Sequence, residues 1–396
     1  MSISKPIADA LQNASWIRRM FETGRVLKER HGSENVFDFS LGNPFLEPPE
    51  EFQTALRGLV NSGEPGLHRY MANNGHTEVR TAVADYMSKS EKCDVHADDV
   101  VMTVGAAGAL NVALRSLLDP GDEVLILAPF FVEYLFYASF QGGSPRVVQT
   151  TDDFDLDIPA IEAAISERTK VLIINTPNNP TGRIYSEARM RELGDVLARA
   201  EKRLGREIYL LADTPYAKIT YDGLTNPPLF ASHPNTLIAH SHSKDLGLAG
   251  ERIGYIVVGE NAAHREDIRG ALTFCNRALG FVNAPALMQK ALALSINASV
   301  DTSIYARIRD RFCQGLKAAG YEFVAPQGAF YIFARTPIDD VEFAQALQRE
   351  NILVVPGRGF GRAGHMRISY CVEEQVVEEA LPRFAKVMSD VQNKPH

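Results

Sequence analysis

The chain lacks any apolar run near the ~18 residues a membrane span needs, and its opening MSISKPIADALQNA holds no continuous apolar segment of the kind found in secretory leaders. A cytoplasmic protein without a membrane partner is expected. Cysteine is sparse: Cys93, Cys275, Cys313 and Cys371 are far apart and form no Cys-x-x-Cys pair, which argues against a disulfide framework or a zinc knuckle. No His-Glu-x-x-His occurs, and His240 and His242 show no third ligand nearby, so no metal is expected. A basic excess is missing too. Lys plus Arg number 41 against 49 Asp plus Glu, a net charge of -8, which removes the general attraction to phosphate backbones on which nucleic-acid binders rely. Neither glycine (29) nor proline (21) is in excess, and 45% of residues are apolar, which excludes disordered and collagen-like classes. What remains is a globular chain of 396 residues, longer than the ~250–300 that one core supports, so two lobes with a crevice between them are expected.

Short apolar runs at 100–104, 124–128, 171–175, 208–212, 236–240 and 253–258 alternate with helical periods. Leu110, Ala113, Leu114, Leu117 and Leu118 mark one helix and residues 186–204 another. The alternation predicts an α/β fold, a mostly parallel sheet between layers of helix. Beyond residue 284 the pattern shifts to helices at 286–296, 304–319, 341–350 and 373–387, with short strands at 329–334, 352–354 and 366–370. That mix suits a smaller α+β domain. Residues 15–30 place Ile17, Met20, Phe21 and Leu27 at helical spacing, an amphipathic arm expected to join the smaller domain. The expected division is therefore residues 1–47 (arm and part of the small domain), 48–284 (large domain) and 285–396 (remainder of the small domain).

In open parallel sheets ligands bind beyond the carboxyl ends of the strands. The strand at 100–104 runs into Gly105-Ala106-Ala107-Gly108 and a helix, a layout that aims backbone N–H groups and the positive helix end at an anion, although a plain tight turn reads the same way. Neither the Rossmann glycine pattern nor a Walker loop is present. The strand at 171–175 leads into Pro177-Asn178-Asn179-Pro180-Thr181-Gly182, and that at 208–212 ends on Asp213 with Tyr216 three residues later. Such an Asp is either a helix cap or the partner of a charged ring nitrogen. The strand at 236–240 opens onto Ser241-His242-Ser243-Lys244, followed by Gly247, Gly250, Arg252 and Gly254. An amine, a phosphate cradle, a carboxylate and a phenol at successive strand ends are what a Schiff-base cofactor requires.

With these motifs in this order, the chain resembles the class I aminotransferases of fold type I, aspartate-aminotransferase-like enzymes that use pyridoxal 5'-phosphate. The resemblance runs from Val36 to Tyr370 and rests on Asn179-Pro180-Thr181-Gly182, Asp213-x-x-Tyr216, Ser241-x-x-Lys244, Gly250-x-Arg252-x-Gly254 and Arg367-Ile368-Ser369. It implies three catalytic residues: Lys244, which forms the internal aldimine and serves as general base, Asp213 on the pyridinium nitrogen, and Tyr216, which with Asn179 hydrogen-bonds the ring oxygen. Phe131 would stack on the ring. Backbone N–H groups at Gly105, Ala106 and Ala107, the Ser241 hydroxyl, Arg252 and Tyr70 of a partner subunit would hold the phosphate. Arg367 would clamp the substrate α-carboxylate, assisted by Asn179 and the backbone near Gly42.

The implied reaction is ping-pong transamination between an L-amino acid and a 2-oxo acid such as 2-oxoglutarate, in a homodimer with shared active sites. A carbon–sulfur β-lyase or a decarboxylase on the same scaffold is the alternative, because Lys244, Asp213 and Arg367 serve all three. A non-catalytic regulator would need a DNA-binding module, and the residues before the sheet show none. The chain departs from its relatives at Ala106 and Ala107, where many carry a hydroxyl or a lysine. Some relatives bind a side-chain carboxylate with a lysine at the place of Ala107. Arg277, Arg358 and Arg362 could substitute but are expected at the surface, and Trp16 is expected to pack the arm or to touch the pocket.

Overall fold

The computed structural model describes residues 3–5, 7, 8 and 16–393. Helix α1 (Trp16–His31) and the short strand β1 (Phe37–Asp38) come first, followed by α2 (Glu50–Asn61) and α3 (Thr77–Glu91). Strands and helices then alternate: β2 (Val100–Thr103), α4 (Gly105–Leu117), β3 (Glu123–Ala128), α5 (Glu133–Phe140), β4 (Ser144–Gln149), α6 (Ile158–Ala164), β5 (Thr169–Asn175), α7 (Glu187–Leu204) and β6 (Tyr209–Asp213). With β7 (Thr236–Ser241) and β8 (Gly254–Val258) they complete a seven-stranded sheet of order β2-β8-β7-β6-β5-β3-β4. Neighbours run parallel except at β8, which is antiparallel to both β2 and β7. This is the α/β architecture that the alternation of apolar runs implies.

Strand periodicity explains how both faces are covered. Leu125 and Leu127 of β3 pack on one side with Met190, Leu193 and Leu197 of α7, while Val124 and Ile126 pack on the other with Leu110, Ala113 and Leu114 of α4. β4 escaped the sequence reading. It is an edge strand, Ser-Pro-Arg-Val-Val-Gln, whose one fully buried residue is Val148, so it carries neither a continuous apolar run nor a clean alternation.

After α8 (Arg265–Ala278) and α9 (Ala286–Ser295), helix α10 (Thr302–Ala318) leads to a three-stranded antiparallel sheet of β9 (Tyr331–Arg335), β11 (Val355–Pro356) and β12 (His365–Ser369), flanked by α11 (Asp340–Arg349) and α12 (Glu374–Gln392). The strand expected at 352–354 is split. Ile352 and Leu353 form β10, which pairs in parallel with β1, and β11 belongs to the other sheet. The strand expected from 329 starts two residues later, because Ala329 takes a left-handed φ of 55°. The β1–β10 pairing carries the N-terminal segment to a core in which Phe39 packs on Phe312 and Phe384. Tyr216, Ile219 and Tyr221 join this second core from the loop after β6. Among the described residues no helix is long and apolar enough to cross a membrane. The side chains of Trp16, Ile17, Met20 and Phe21 lie outside the described residues.

Candidate active site

The carboxyl ends of β5, β6 and β7 and the first turn of α4 converge on a cavity of about 270 Å³. Gly42, Ala106, Ala107, Phe131, Asn179, Asp213, Tyr216, Ser241, Lys244, Arg252 and Arg367 all line it. Gly105, the residue before Ala106, is not among the lining residues. Tyr70 does not reach the cavity of its own chain and is 89% exposed.

One end of the cavity is suited to an anion. Gly105 opens α4 at φ 76°, the first-turn residues Ala106 and Ala107 line the cavity, and Arg252 lies across the turn with Nη2 donating to the Val104 carbonyl at 3.3 Å. Glycine eases the left-handed φ and the tight packing here: a Cβ on Gly105 would stand 2.9 Å from the flexible Arg252 Nη2, and one on Gly254 would stand 2.8 Å from the Gly105 Cα. The hydroxyls of Ser241 and Ser243 are 2.7 Å apart, and Arg252 Nη1 reaches Ser243 Oγ at 3.5 Å.

At the end of β6, Asp213 is fully enclosed. Its Oδ2 accepts the Tyr134 hydroxyl at 2.5 Å, while Oδ1 has no hydrogen-bond partner among the described residues. Burial pushes its carboxyl up to about 6, against the opposing effects of the Tyr134 hydrogen bond and the nearby His240. Asn175 fixes the neighbourhood: its Nδ2 donates to the Asp213 carbonyl at 2.9 Å and its Oδ1 accepts the Asn179 N–H at 2.6 Å. Phe131 meets Tyr134 edge-on, ring centroids 5.6 Å apart.

Lys244 points its Nζ at the Gly42 carbonyl, 2.7 Å away. Burial lowers its ammonium to about 8, the charges of Arg367 and Arg252 push the same way, and Cys371 opposes them. Roughly a tenth is therefore the nucleophilic free amine at pH 7, far more than for an ordinary lysine.

Arg367 forms the opposite wall. Its Nη1 donates to Asn179 Oδ1 at 3.1 Å and its Nη2 to the Ser40 carbonyl at 2.5 Å, and its Cζ lies 4.7 Å from the Tyr331 ring centroid and 4.8 Å from that of Phe360. It is buried, no carboxylate among the described residues pairs with it, and its Nε is unpartnered. A buried guanidinium without a counter-ion is suited to an anionic ligand. The Tyr216 hydroxyl sits 2.9 Å from that of Tyr331.

Several lining residues were not singled out from sequence: Asn175, Tyr134, Tyr137, Ser243 and Tyr331. Asn175 ends the strand before the Pro-Asn-Asn-Pro segment, and Tyr134 follows Phe131 by one helical turn, so both carried a weak positional signal. Tyr331 carried none, since it reads as one more aromatic in an apolar strand. The three spare arginines lie elsewhere: Arg358 binds Asp339 and Asp340, Arg362 binds Asp152 at 2.8 Å, and Arg277 lies against Phe274. A correction concerns His240 and His242. Asp245 supplies the third group that the sequence did not reveal, with its carboxylate 3.1 Å from His242 Nδ1. The Lys218 ammonium lies 3.5 Å from the same carboxylate.

The chain is similar to known proteins over nearly its whole length. The sequence model of the family "Aminotransferase class I and II" matches residues 34–384. A probable aspartate/prephenate aminotransferase of Thermus aquaticus is 32% identical over 372 residues, covering 92% of this chain and 94% of that protein. Aromatic-amino-acid aminotransferase 2 of Thermococcus litoralis is 29% identical over 399 residues, covering 97% and 98%. Among solved structures, an amino transferase from Eubacterium rectale superposes with a TM-score of 0.95 at 36% identity over 100% of both chains. The aspartate aminotransferase of Thermus thermophilus with maleate gives 0.86 at 28% identity, covering 98% of this chain and 100% of that one. The chain belongs to the class I and II aminotransferase family and is an aminotransferase.

Proposed function

We propose that the cavity binds pyridoxal 5'-phosphate and performs ping-pong transamination between an L-amino acid and a 2-oxo acid such as 2-oxoglutarate. The observation that carries this reading is a pair of unsatisfied buried groups, Asp213 Oδ1 and Arg367 Nε, on the walls of a cavity that also holds an amine lowered to about 8. An unpaired acid suits a protonated ring nitrogen, and an unpaired guanidinium suits a carboxylate. Bound there, the cofactor supplies an aldehyde that captures amines and a ring that accepts the electron pair released at the substrate Cα.

The protein's own groups do the rest. Gly105, Ala106 and Ala107 would give backbone N–H groups to the phosphate, with the Ser241 hydroxyl and Arg252. Phe131 would cover one ring face, Asp213 would keep the ring nitrogen charged, and Tyr216 and Asn179 would address the ring oxygen. Arg367, with Asn179 and the backbone at Gly42, would orient the substrate carboxylate. Lys244 Nζ would first hold the cofactor, then take the Cα proton and return one. Because a single guanidinium serves donor and acceptor alike, the first keto acid must leave before the second enters, which gives the ping-pong order.

In this reading residues 48–284 form the unit that carries the cofactor, and residues 1–47 with 285–396 form the smaller one. Exposed Tyr70 supports a homodimer in which each subunit completes its partner's phosphate site. Four unpaired cysteines suit a cytoplasmic setting. A single half-reaction tests the proposal: the enzyme mixed with an amino donor alone should lose its visible cofactor band and release one 2-oxo acid without ammonia. Ammonia with pyruvate would establish a β-lyase instead, and carbon dioxide a decarboxylase.

A further inference from the structure

Tyr331, on β9, touches three of the groups around Lys244. Its hydroxyl lies 2.9 Å from that of Tyr216, and its ring lies under the Arg367 guanidinium at 4.7 Å. Its hydroxyl end also packs so closely on Gly42 that a Cβ there would stand 2.0 Å from the Tyr331 oxygen. The Gly42 carbonyl in turn accepts the Lys244 amine at 2.7 Å. Tyr331 is buried, and among the described residues Tyr216 is the hydrogen-bond partner of its hydroxyl.

A phenol has one proton to give and lone pairs to receive with. If Tyr216 donates to the cofactor's ring oxygen, its own oxygen is left as an acceptor, and the Tyr331 proton is placed to fill it. A hydroxyl that accepts a hydrogen bond becomes a stronger donor, by roughly 10–30% per bond. We propose that Tyr331 is a positioning residue, whose hydroxyl orients and strengthens the Tyr216 donor while its ring seats Arg367 for the substrate carboxylate. This rests on the proposed use of the cavity. The two roles belong to different atoms of one side chain, so they can be separated. Gly42 is then needed as glycine because any side chain would displace the Tyr331 hydroxyl.

The test uses cofactor-loaded Tyr331→Phe, Tyr331→Leu, Tyr216→Phe and the double variant Tyr216→Phe/Tyr331→Phe. For each, the pH midpoint of the bound cofactor's visible band is measured by absorbance, beside KM and kcat. A donor at the ring oxygen favours the form that has lost its proton, so removing the donor raises the midpoint. Tyr216→Phe should raise it by about one unit, and Tyr331→Phe by about 0.3 unit. The double variant should match Tyr216→Phe alone, because Tyr331 acts through Tyr216. KM should stay within about two-fold in Tyr331→Phe and rise about ten-fold in Tyr331→Leu, where the ring under Arg367 is lost.

A Tyr331→Phe midpoint equal to wild type, while Tyr216→Phe moves it, would overturn the hydroxyl role and leave the cofactor assignment intact. A double variant shifted beyond Tyr216→Phe would also overturn it. An unchanged KM in Tyr331→Leu would overturn the ring role. If Tyr216→Phe itself leaves the midpoint in place, the use of the cavity proposed above fails, and the role of Tyr331 fails with it.

Discussion

The two ends of the cavity are built in different ways. The anion end is local: Gly105 to Ala107 open one helix, and Ser241, Lys244 and Arg252 fall within twelve consecutive residues of one strand-loop-strand unit. The Arg367 end is assembled from a distance, with the Ser40 carbonyl, Asn179, Tyr331 and Phe360 coming from four separate parts of the chain. The contrast teaches that the first end is held by backbone and glycine geometry, whereas the second depends on the second core being in place. Damage to the two ends should therefore differ in kind.

The largest effects should come from the groups that would meet the cofactor directly. Lys244→Ala should abolish turnover and the lysine-linked visible band together, and retention of both would remove the assignment. Asp213→Asn should lower kcat/KM by on the order of 10²–10³-fold, read by steady-state kinetics. The same change should stabilise the cofactor-free protein at neutral pH. The Asp213 carboxyl rises from 3.8 to about 6 on folding, so the folded state binds the proton more tightly and stability falls as pH climbs through that window. The loss, about 3 kcal/mol in wild type, persists above the window and is absent from the Asn variant. Thermal unfolding without cofactor should thus show a higher Tm for Asp213→Asn near pH 7 and no such gain near pH 4. Equal Tm values at neutral pH would show that Asp213 is not held against a desolvation penalty.

At the distant end, Arg367→Ala should raise KM for amino and oxo acids alike by about 100-fold, with a smaller change in kcat. Removing that charge should also let the Lys244 ammonium rise, since Arg367 is one of the groups holding it down. In wild type, cofactor capture by the cofactor-free protein should accelerate through pH about 8, as the Lys244 amine loses its proton. Stopped-flow absorbance reads both, and a rise centred near the ordinary lysine value would contradict the burial argument. The smallest effect is expected at the anion end, where Gly105→Ala meets only the flexible tip of Arg252 but must hold φ 76°. Cofactor affinity there should fall by roughly ten-fold with kcat nearly unchanged.

The same contrast governs what could be read from the sequence. The strands of the large sheet were legible because they are buried on both faces and read as unbroken apolar runs. Edge strand β4 and the split at 352–356 were not, since an exposed edge has no run and two residues have no period. Lys244, Asp213, Asn179 and Arg252 stand at strand ends or in glycine-rich loops, where a polar residue is conspicuous. Tyr134, Tyr331 and Asn175 are ordinary residues in ordinary elements, and only tertiary packing turns their polar ends toward the cavity. Arg367 was found by its motif. That it is buried without a counter-ion, the property that makes it useful, is visible only in three dimensions.

Borohydride reduction of the cofactor-loaded enzyme, followed by peptide mass mapping, is the most direct test that this cavity holds a lysine-linked cofactor. A single reduced pyridoxyl adduct on Lys244 is expected, absent when an amino donor is added first. An adduct on Lys218 or another lysine, or an adduct on Lys244 that an amino donor does not displace, would contradict it.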